Sequence, residues 1–471
     1  MSVQFDQSSP ADIERYGKRL LHKTLRTEPG VYPIPAEMLE VAIGGRSRGS
    51  FGKILEKYYY GITPPNESVP DFPEAGVELK STPLKHLQNG EYSAKERLVL
   101  NIINYSKEAE APGFEASSFL KKNAHIMLVS YEHEDGRAAV DHPVLVAQLL
   151  SFNELPESDQ RIIEGDWLKI VGKIRAGKAH ELSEGDTEYL GACTKAADST
   201  VLRTQANGGP AAKPRAFSFK AGYMTVLMRQ MLAPEKAAEE FESVIKDPAT
   251  LQTKTFEQEI LDRFSPYLGK STEDIQASIG DGLNPESKDY YAMLARRMIG
   301  VQGKKIEEFE KAEITMKTIQ LRGDGMPKED MSFPAFKFVE LIEEDWDAAA
   351  DDESPESSFK NQLQKRFLFV VYQCEGDCKP GDRKRFVKAF FWTMPHDTLE
   401  GEVRRVWLEA VAAVRESDTD KLPKKSGSEV AHVRPHGRDA SDTNTLPDGK
   451  EATKRCFWLD KKYIKKVIGA A

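Results

Sequence analysis

Several features that would assign a chain to a special class are scarce in this sequence. There are only four cysteines in 471 residues, Cys193, Cys374, Cys378 and Cys456, too few for a fold that depends on disulfides. Cys374 and Cys378 lie close together, but the sequence has no second Cys or His pair nearby to complete a four-ligand zinc site. We therefore expect free thiols in a reduced, cytoplasmic environment.

Long apolar runs are also missing. The first 16 residues are polar and charged, without the apolar centre of a secretory signal. No segment approaches the roughly 18 consecutive apolar residues that suggest a membrane span. These absences predict a protein that does not enter a membrane.

Positive charge is in short supply, because 66 Lys and Arg face 75 Asp and Glu, for a formal net charge of -9. This balance argues mildly against nucleic-acid binding, although phosphate contacts need only a local basic surface. The charge is in fact uneven, with an acidic stretch at 343–356 and a basic tail at 421–466. The tail fits either a solvated surface or a nucleic-acid contact.

The sequence is long, and it contains an internal repeat. A chain of 471 residues is too long for one compact core. Six features recur in the same order in the two halves of the chain. The pairs are Phe51–Gly61 with Tyr290–Gly300, Val77–Lys80 with Ile314–Lys317, Ser117–Phe119 with Ser357–Phe359, His125–Tyr131 with Arg366–Tyr372, Trp167 with Trp407, and Arg215–Tyr223 with Arg455–Tyr463.

This repeat predicts two tandem domains, 1–235 and 254–471, of the same type. Each mixes helices with short strands, so we expect an α/β sheet flanked by helices in both. The segment between them, about 233–253, is rich in Ala, Glu and Lys, and we expect an exposed linking helix there.

Two carboxylates and a lysine stand close together at Asp71, Glu78 and Lys80. In a strand Glu78 and Lys80 share one face, while Val77 and Leu79 turn into the core. A hairpin can bring Asp71 beside Glu78, and two clustered carboxylates suit Mg²⁺. A lysine beside them can orient or deprotonate a water that attacks a phosphate. By itself this pattern also fits a half-exposed strand with ion-paired side chains.

Glu56 lies on a helix just before this motif. At 100° per residue, Phe51, Ile54, Leu55 and Tyr58 form one apolar stripe, which places Glu56 away from the core. Glu56 is then either a solvated glutamate or a third carboxylate that faces the cleft.

The sequence resembles a family of DNA endonucleases, which comprises the MutH mismatch-repair endonuclease and the Sau-type restriction enzymes that cut at GATC. The resemblance spans residues 35–232 and is carried, in the family's order, by Gly52–Glu56, Asp71–Lys80, Glu188–Lys195 and Arg215–Lys220. It implies a restriction-endonuclease-like fold with a mixed sheet flanked by helices. The catalytic positions that it implies are Glu56, Asp71, Glu78, Lys80 and Lys122. Asp71 and Glu78 are then the ligands of Mg²⁺.

The same resemblance implies contacts with double-stranded DNA. The loop after Leu190 corresponds to the family's base-reading segment, which is Arg-Pro-Lys in MutH and Cys193-Thr194-Lys195 here. A lysine there can reach O6 and N7 of guanine, or simply a phosphate. The family has a tyrosine where this chain has Ser218. The residues of this domain expected at DNA are Thr194, Lys195, Arg215, Lys220, Arg46 and Arg48, and the last two also fit a plain basic loop.

The second copy lacks the catalytic carboxylates. Ala295 stands opposite Glu56, and Thr315 stands opposite Glu78, so Lys317 has no carboxylate beside it. A metal site cannot be built from what remains.

The second copy nevertheless keeps a base-reading pattern at Val433-Arg434-Pro435-His436, inside the basic tail. Arg434 and His436 are therefore predicted to contact DNA. By resemblance to Sau-type enzymes, the second domain is an allosteric DNA-binding twin that does not cut. The alternative is a purely structural partner domain.

The resemblance implies a Mg²⁺-dependent type II restriction endonuclease, with GATC as the expected target. With one active site, cutting both strands requires two successive nicks or a transient dimer on DNA, promoted by a second DNA site bound at the C-terminal domain. Two alternatives remain open. One is a mismatch-repair-type nickase that needs a stimulating partner, and the other is a non-catalytic DNA-binding protein.

Overall fold

The computed structural model describes residues 5–40, 49–63, 69–195, 200–280, 282–303, 305–348, 355–379, 381–439 and 441–471. Its helices in chain order are α1 Pro10–Gly17, α2 Ala36–Leu39, α3 Ser50–Ile54, α4 Tyr105–Glu110, α5 Ser118–Asn123, α6 Glu157–Arg175, α7 Ala221–Leu232, α8 Pro234–Glu240, α9 Phe256–Phe264, α10 Thr272–Ile279, α11 Tyr290–Met298, α12 Glu307–Ala312, α13 Phe338–Leu341, α14 Ser358–Gln364, α15 His396–Thr398, α16 Arg404–Arg415 and α17 Lys461–Ala470. No helix among these residues combines the length and apolar character that crossing a bilayer requires.

The strands are β1 Val77–His86, β2 Tyr92–Ala94, β3 Leu98–Ile102, β4 His125–Glu132, β5 Val144–Ser151, β6 Leu190–Thr194, β7 Arg215–Phe219, β8 Phe241–Glu242, β9 Lys305–Ile306, β10 Thr315–Leu321, β11 Met331–Phe336, β12 Phe367–Cys374, β13 Lys384–Trp392, β14 Ala431–Pro435, β15 Thr443–Thr445, β16 Glu451–Thr453 and β17 Arg455–Leu459. The chain divides into two compact units. Among the described residues, the first contains those within Met1–Thr255 and Gly303–Glu313, and the second contains those within Phe256–Gln302, Ile314–Ala348 and Ser354–Ala471.

The first unit is built on a four-stranded mixed sheet with the order β2-β1-β4-β5. Strands β1 and β4 run parallel, with Val77 opposite His125, whereas β2 and β5 are antiparallel to their neighbours. Helices α1 and α3 supply apolar side chains to a core on this sheet, where Phe51 stacks on Tyr131 with ring centroids 3.9 Å apart. The outcome is the α/β architecture that the sequence predicts.

A second, smaller sheet of the first unit has the order β3-β7-β6. Strand β7 lies in the middle, although it is the last of the three in the chain, and it is antiparallel to both neighbours. Helix α6, with Trp167 and Ile170 buried, contacts β6. Acidic residues in the first turn of α6 and basic residues in its last turn complement the helix dipole.

The first unit also includes a segment that follows α11 in the sequence, Gly303–Glu313, which contains β9 and α12. Its Lys311 is 2% exposed and forms ion pairs of 2.8 Å with Asp159 and with Glu307. Glu308, also buried, accepts hydrogen bonds from the Ser243 hydroxyl and from two backbone N–H groups next to it. The first unit is therefore completed by residues far along the chain.

The second unit has a mixed sheet in the order β10-β12-β13 and a smaller one in the order β11-β17-β14. Strands β10 and β12 are parallel and β13 is antiparallel. In the smaller sheet the last strand in the chain, β17, again lies in the middle and is antiparallel to both neighbours. Two packed phenylalanines, Phe359 and Phe457, lie in its core with ring centroids 4.1 Å apart.

Two local predictions are wrong. The linking segment is not one exposed helix, because α8 ends at Glu240 and β8 then pairs with β9. Cys374 and Cys378 form a disulfide, since the turn after β12 brings their Cα atoms to 5.3 Å from each other. The other two cysteines are free and buried.

Candidate active site

A tight turn brings Asp71 beside Glu78. Phe72 and Val77 exchange backbone hydrogen bonds across this turn, in which Gly76 has a φ of +65° that favours glycine. The Asp71 N–H donates to Glu78 Oε2 at 3.2 Å, and the Leu79 N–H donates to Asp71 Oδ2 at 2.9 Å. The two carboxylates are therefore held together by the backbone.

Glu78 is the centre of this cluster and is only 2% exposed. Its Oε1 accepts a hydrogen bond of 2.7 Å from Lys80 Nζ, and Lys122 Nζ lies 3.4 Å from the same oxygen. Lys80 stands on the same strand, whereas Lys122 comes from α5, which leads into the neighbouring parallel strand β4. Val77 and Leu79 are buried, as the strand alternation predicts.

Glu56 lies on the turn of π-helix Leu55–Tyr59 that continues α3. Its burial, together with the nearby carboxylate of Asp71, raises the pKa of Glu56 to about 7. Burial also raises the pKa of Glu78, although Lys80 and Lys122 oppose this shift. Asp71, Lys80 and Lys122 thus act electrostatically on both Glu56 and Glu78.

The donor set of this cluster fits Mg²⁺ better than a metal that takes all its ligands from protein. Among the described residues, no group of three or more His, Cys, Asp or Glu side chains is arranged to hold a metal. Asp71 and Glu78 offer two carboxylates, and Mg²⁺ typically uses one or two carboxylates with waters and substrate phosphate as its other ligands. A cation there would also offset the charge that raises the pKa of Glu56 and Glu78.

The base-reading segment predicted in the first unit lies at the end of β6. Thr194 and Lys195 are half-buried, and the Lys195 N–H donates to the Pro214 carbonyl at 2.8 Å. Arg215 pairs with Thr194 across β6 and β7, and its guanidinium donates to the carbonyls of Ala192 and Leu182. DNA contacts of these residues remain predictions, and Arg46 and Arg48 lie outside the described residues.

The prediction that Lys220 contacts DNA is wrong. Lys220 is 2% exposed, and its Nζ donates to the carbonyls of Thr187 at 2.5 Å and Ala312 at 3.4 Å. Burial lowers the pKa of Lys220. Lys220 follows β7 directly, and its ammonium satisfies backbone carbonyls in the interior of the first unit.

In the second unit, Arg434 is exposed, but two contacts fix the position of its guanidinium. Its Nη1 donates to Asp330 Oδ2 at 2.9 Å, and its guanidinium lies 5.0 Å from the centre of the Trp458 ring. His436 is exposed and contacts the same ring edge-on at 5.5 Å. The sequence gives no sign of the Asp330 contact, because the two residues lie 104 positions apart.

Among the described residues of the second unit, no counterpart of the carboxylate cluster is present. Glu78 faces Ile126 across the parallel strands of the first unit, and Thr315 faces Phe367 in the corresponding pair of the second. Lys317 follows two residues later, and burial lowers its pKa. No charged neighbour contributes to that shift, whereas Lys80 and Lys122 both lie beside the Glu78 carboxylate.

Comparisons with known proteins agree with this geometry. Residues 60–166 match the family model described as DNA mismatch repair enzyme MutH, and this match contains Asp71, Glu78, Lys80 and Lys122. The fold and the site therefore define a MutH-like nuclease domain.

A comparison over the whole chain gives a more specific match. The chain is 37% identical over 468 residues to the type II restriction enzyme Sau3AI of Staphylococcus aureus, with 90% of this chain and 93% of that protein covered. The chain belongs to the Sau3AI-like family of type II restriction endonucleases, which confirms the resemblance drawn from its motifs.

Proposed function

We propose that this restriction endonuclease hydrolyses double-stranded DNA at GATC with the help of Mg²⁺. The observation that carries this proposal is the cluster around Glu78, where a buried carboxylate holds two lysines and lies against Asp71. The specific sequence rests on the resemblance to GATC-cleaving enzymes.

In this mechanism Asp71 and Glu78 would hold Mg²⁺, and the bound ion would supply Lewis-acid chemistry for water activation and for the charge on the phosphate. Lys80 Nζ, held by Glu78 on one side and partly exposed on the other, orients the attacking water. Lys122 adds positive charge where the phosphoryl oxygens become more negative. A bond forms from the water oxygen to phosphorus while the P–O3′ bond breaks. The attacking water gives up one proton and the departing O3′ takes one up from water, which leaves 5′-phosphate and 3′-hydroxyl ends.

The proposal includes a tandem duplication, supported by the strand orders of the two units. An ion pair with exchanged charges also supports it. Arg97, just before β3, pairs with Glu184 at 2.8 Å, whereas Asp330, just before β11, pairs with Lys425 at 2.6 Å. Glu184 and Lys425 each begin a 3-10 turn that precedes the edge strand of the smaller sheet.

The second unit, in this proposal, binds a further DNA site without cutting it. Arg434 and His436 lie at the end of β14, the counterpart of β6. Along the sequence, the lysines of the basic tail flank β14 and β17, two strands of the same small sheet. Because only one unit has the carboxylates, cutting both strands requires two successive nicks or a transient dimer on DNA. Occupancy of the second unit promotes that association.

Cleavage of unmethylated plasmid with Mg²⁺ tests the proposed function, with wild type compared with Asp71→Ala. Asp135→Ala is the matched control, because its side chain is 95% exposed. We expect double-strand breaks at one short sequence, lost in Asp71→Ala and kept in the control, with the ends mapped by sequencing. Nicked plasmid as the end product would instead favour a mismatch-repair-type nickase. DNA binding without any cutting would contradict the catalytic role of the cluster.

A further inference from the structure

Helix α6 holds the start of the predicted base-reading strand through one buried carboxylate. Asp166 is 0% exposed. It accepts hydrogen bonds from three consecutive backbone N–H groups, those of Glu188 at 2.7 Å, Tyr189 at 2.6 Å and Leu190 at 2.9 Å. Leu190 is the first residue of β6, which ends at Thr194.

A carboxylate is costly to bury unless it is hydrogen-bonded, and here three donors converge on it. The three N–H groups belong to a segment that is 22 to 24 residues away in sequence. The contact therefore fixes the strand relative to the helix, whereas a local turn would fix only the strand's own backbone.

Two lysines continue this contact along α6. Lys169 Nζ lies 2.9 Å from the Glu188 carboxylate, and Lys173 Nζ lies 2.8 Å from Asp186. Both lysines follow Asp166 at spacings of three and seven residues, which places all three on one face of the helix. Through these three side chains, the helix holds the whole segment that leads into β6.

The residue next to Asp166 connects the same helix to the catalytic cluster. Trp167 Nε1 donates to Glu108 Oε1 at 2.7 Å. The Glu108 carboxylate also accepts from the backbone N–H of Ser118, the first residue of α5. Helix α5 carries Lys122, which lies beside Glu78. Adjacent residues of α6 therefore hold the base-reading strand and the helix of a catalytic lysine.

In the second unit, the N–H groups at the start of the corresponding strand donate to a nearby side chain. The N–H groups of Val430 and Ala431, which precede and begin β14, donate to the hydroxyl of Ser428. Its long helix α16 buries apolar residues such as Val406 and Ala410. A serine two or three residues away thus suffices to satisfy those N–H groups. Arg405 of α16 also donates to the Gly427 carbonyl at 3.0 Å, so each unit links this segment to its long helix, the first through a buried carboxylate and the second through a guanidinium.

We propose that Asp166 is a positioning residue for sequence recognition: it fixes the base-reading strand at a set distance from the cleavage cluster. This inference rests on the proposed role of the segment that ends at Lys195 in base reading. A shift of the strand start would misplace Thr194 and Lys195 against the base edges, since such contacts require correct geometry to discriminate.

The test compares Asp166→Asn and Lys169→Met with wild type on short duplexes. One duplex carries the DNA sequence that the wild-type enzyme cleaves, and the others differ from it at one base pair. An amide accepts through one oxygen, so Asp166→Asn leaves at least one of the three N–H groups without its acceptor. Lys169→Met removes the partner of Glu188 on the surface side. Asp135→Ala, whose side chain is 95% exposed, is the control, and Lys195→Met probes the base-reading segment itself.

We expect a roughly tenfold loss of discrimination in kcat/KM between the cognate and altered sites in Asp166→Asn, which corresponds to about 1.4 kcal/mol. KM should rise, kcat at saturating cognate DNA should stay within about threefold, and Lys169→Met should shift the same ratio by less. Asp135→Ala should behave as wild type.

Lower thermal stability of Asp166→Asn with unchanged discrimination and KM would overturn the positioning role, because a purely structural residue gives that result. If Asp166→Asn does not fold, Lys169→Met decides, and wild-type discrimination in Lys169→Met overturns the inference. Unchanged discrimination in Lys195→Met would refute base reading by this segment and the inference with it. Reduced discrimination in Lys195→Met alone would refute only the role of Asp166.

Discussion

Single carboxylates in this protein differ in what surrounds them, and those surroundings decide their chemistry. Glu78 is almost completely buried but lies against two lysines. Glu56 lies near Asp71 and Glu78, which disfavour its charged form, and burial does the same. Ionisation of all three carboxylates would therefore give the cluster more negative charge than its two lysines offset.

This electrostatic imbalance predicts a pH-dependent stability that Glu56→Gln removes. The pKa of Glu56 is raised to about 7 from 4.5, so the native state keeps a proton there that the unfolded chain loses. The contribution of Glu56 to stability is thus full below pH 4.5 and is lost as the pH rises through 7.

Urea unfolding without metal checks this prediction. Between pH 5 and pH 8, the free energy of unfolding of wild type should fall by about 2 kcal/mol relative to Glu56→Gln, a value reduced for partial exposure. Addition of Mg²⁺ should narrow the gap, because a cation favours the ionised carboxylate. Parallel pH curves for the two proteins would contradict the raised pKa.

At the scale of elements, the turn before β1 sets the geometry of the cluster. Gly76 has a positive φ, and a Cβ added there would have no heavy atom within 4 Å, so only backbone strain opposes a side chain. Gly90, in the turn between β1 and β2, has a similar φ of +78° and equally open surroundings. The two glycines lie beyond opposite ends of one strand and differ in their distance from Asp71 along the chain.

We therefore expect Gly76→Ala and Gly90→Ala to cost a similar stability, about 1 kcal/mol each, because L-residues are disfavoured at such φ values. Only Gly76→Ala should also lower kcat, since relaxation of its turn moves Asp71 relative to Glu78. Thermal unfolding and single-turnover cleavage measure the two effects separately. Equal activity of both variants would show that the turn does not set the position of Asp71.

Much of this architecture follows from local sequence patterns. Alternation along β1 predicts correctly that Val77 and Leu79 are buried, and the turn predicted before it brings Asp71 to Glu78. The helix of Glu56 is also predicted, because its apolar stripe is local. The exposed linking helix is wrong, since the pairing of β8 with β9 depends on residues more than 60 positions away.

At the scale of the whole molecule, the first unit depends on a segment from the later part of the chain. Lys311 and Asp159 form an ion pair whose side chains are 3% and 5% exposed. Lys311→Ala should destabilise the first unit by about 3 kcal/mol, because it leaves a buried carboxylate without its partner.

Denaturation of the full-length protein by urea measures this loss. Lys337→Ala is the control, because its ion pair with Glu340 has side chains 64% and 63% exposed and should contribute less than about 1 kcal/mol. An equal effect of the two substitutions would mean that the segment is not an integral part of the first unit.

The proposed role of the second unit predicts how cleavage depends on the number of sites. Arg434→Ala should weaken binding of a second DNA site and remove any advantage of two-site over one-site plasmids, while the rate on one-site plasmids stays near wild type. Arg438→Ala is the matched control, because its side chain is 90% exposed and belongs to the same basic tail. Undiminished two-site dependence in Arg434→Ala would refute this role.

The sequence by itself determined the family, the motif that carries the predicted catalytic carboxylates and the lack of carboxylates at the matching positions Ala295 and Thr315. These properties are carried by residue types at fixed spacings, and a strand or turn converts such spacings into neighbouring side chains. Only the tertiary structure decided that Lys220 is buried, that Cys374 and Cys378 form a disulfide, and that Asp166 holds the start of β6. Each of these depends on the path of the chain through space, and local periodicity carries no information about that path.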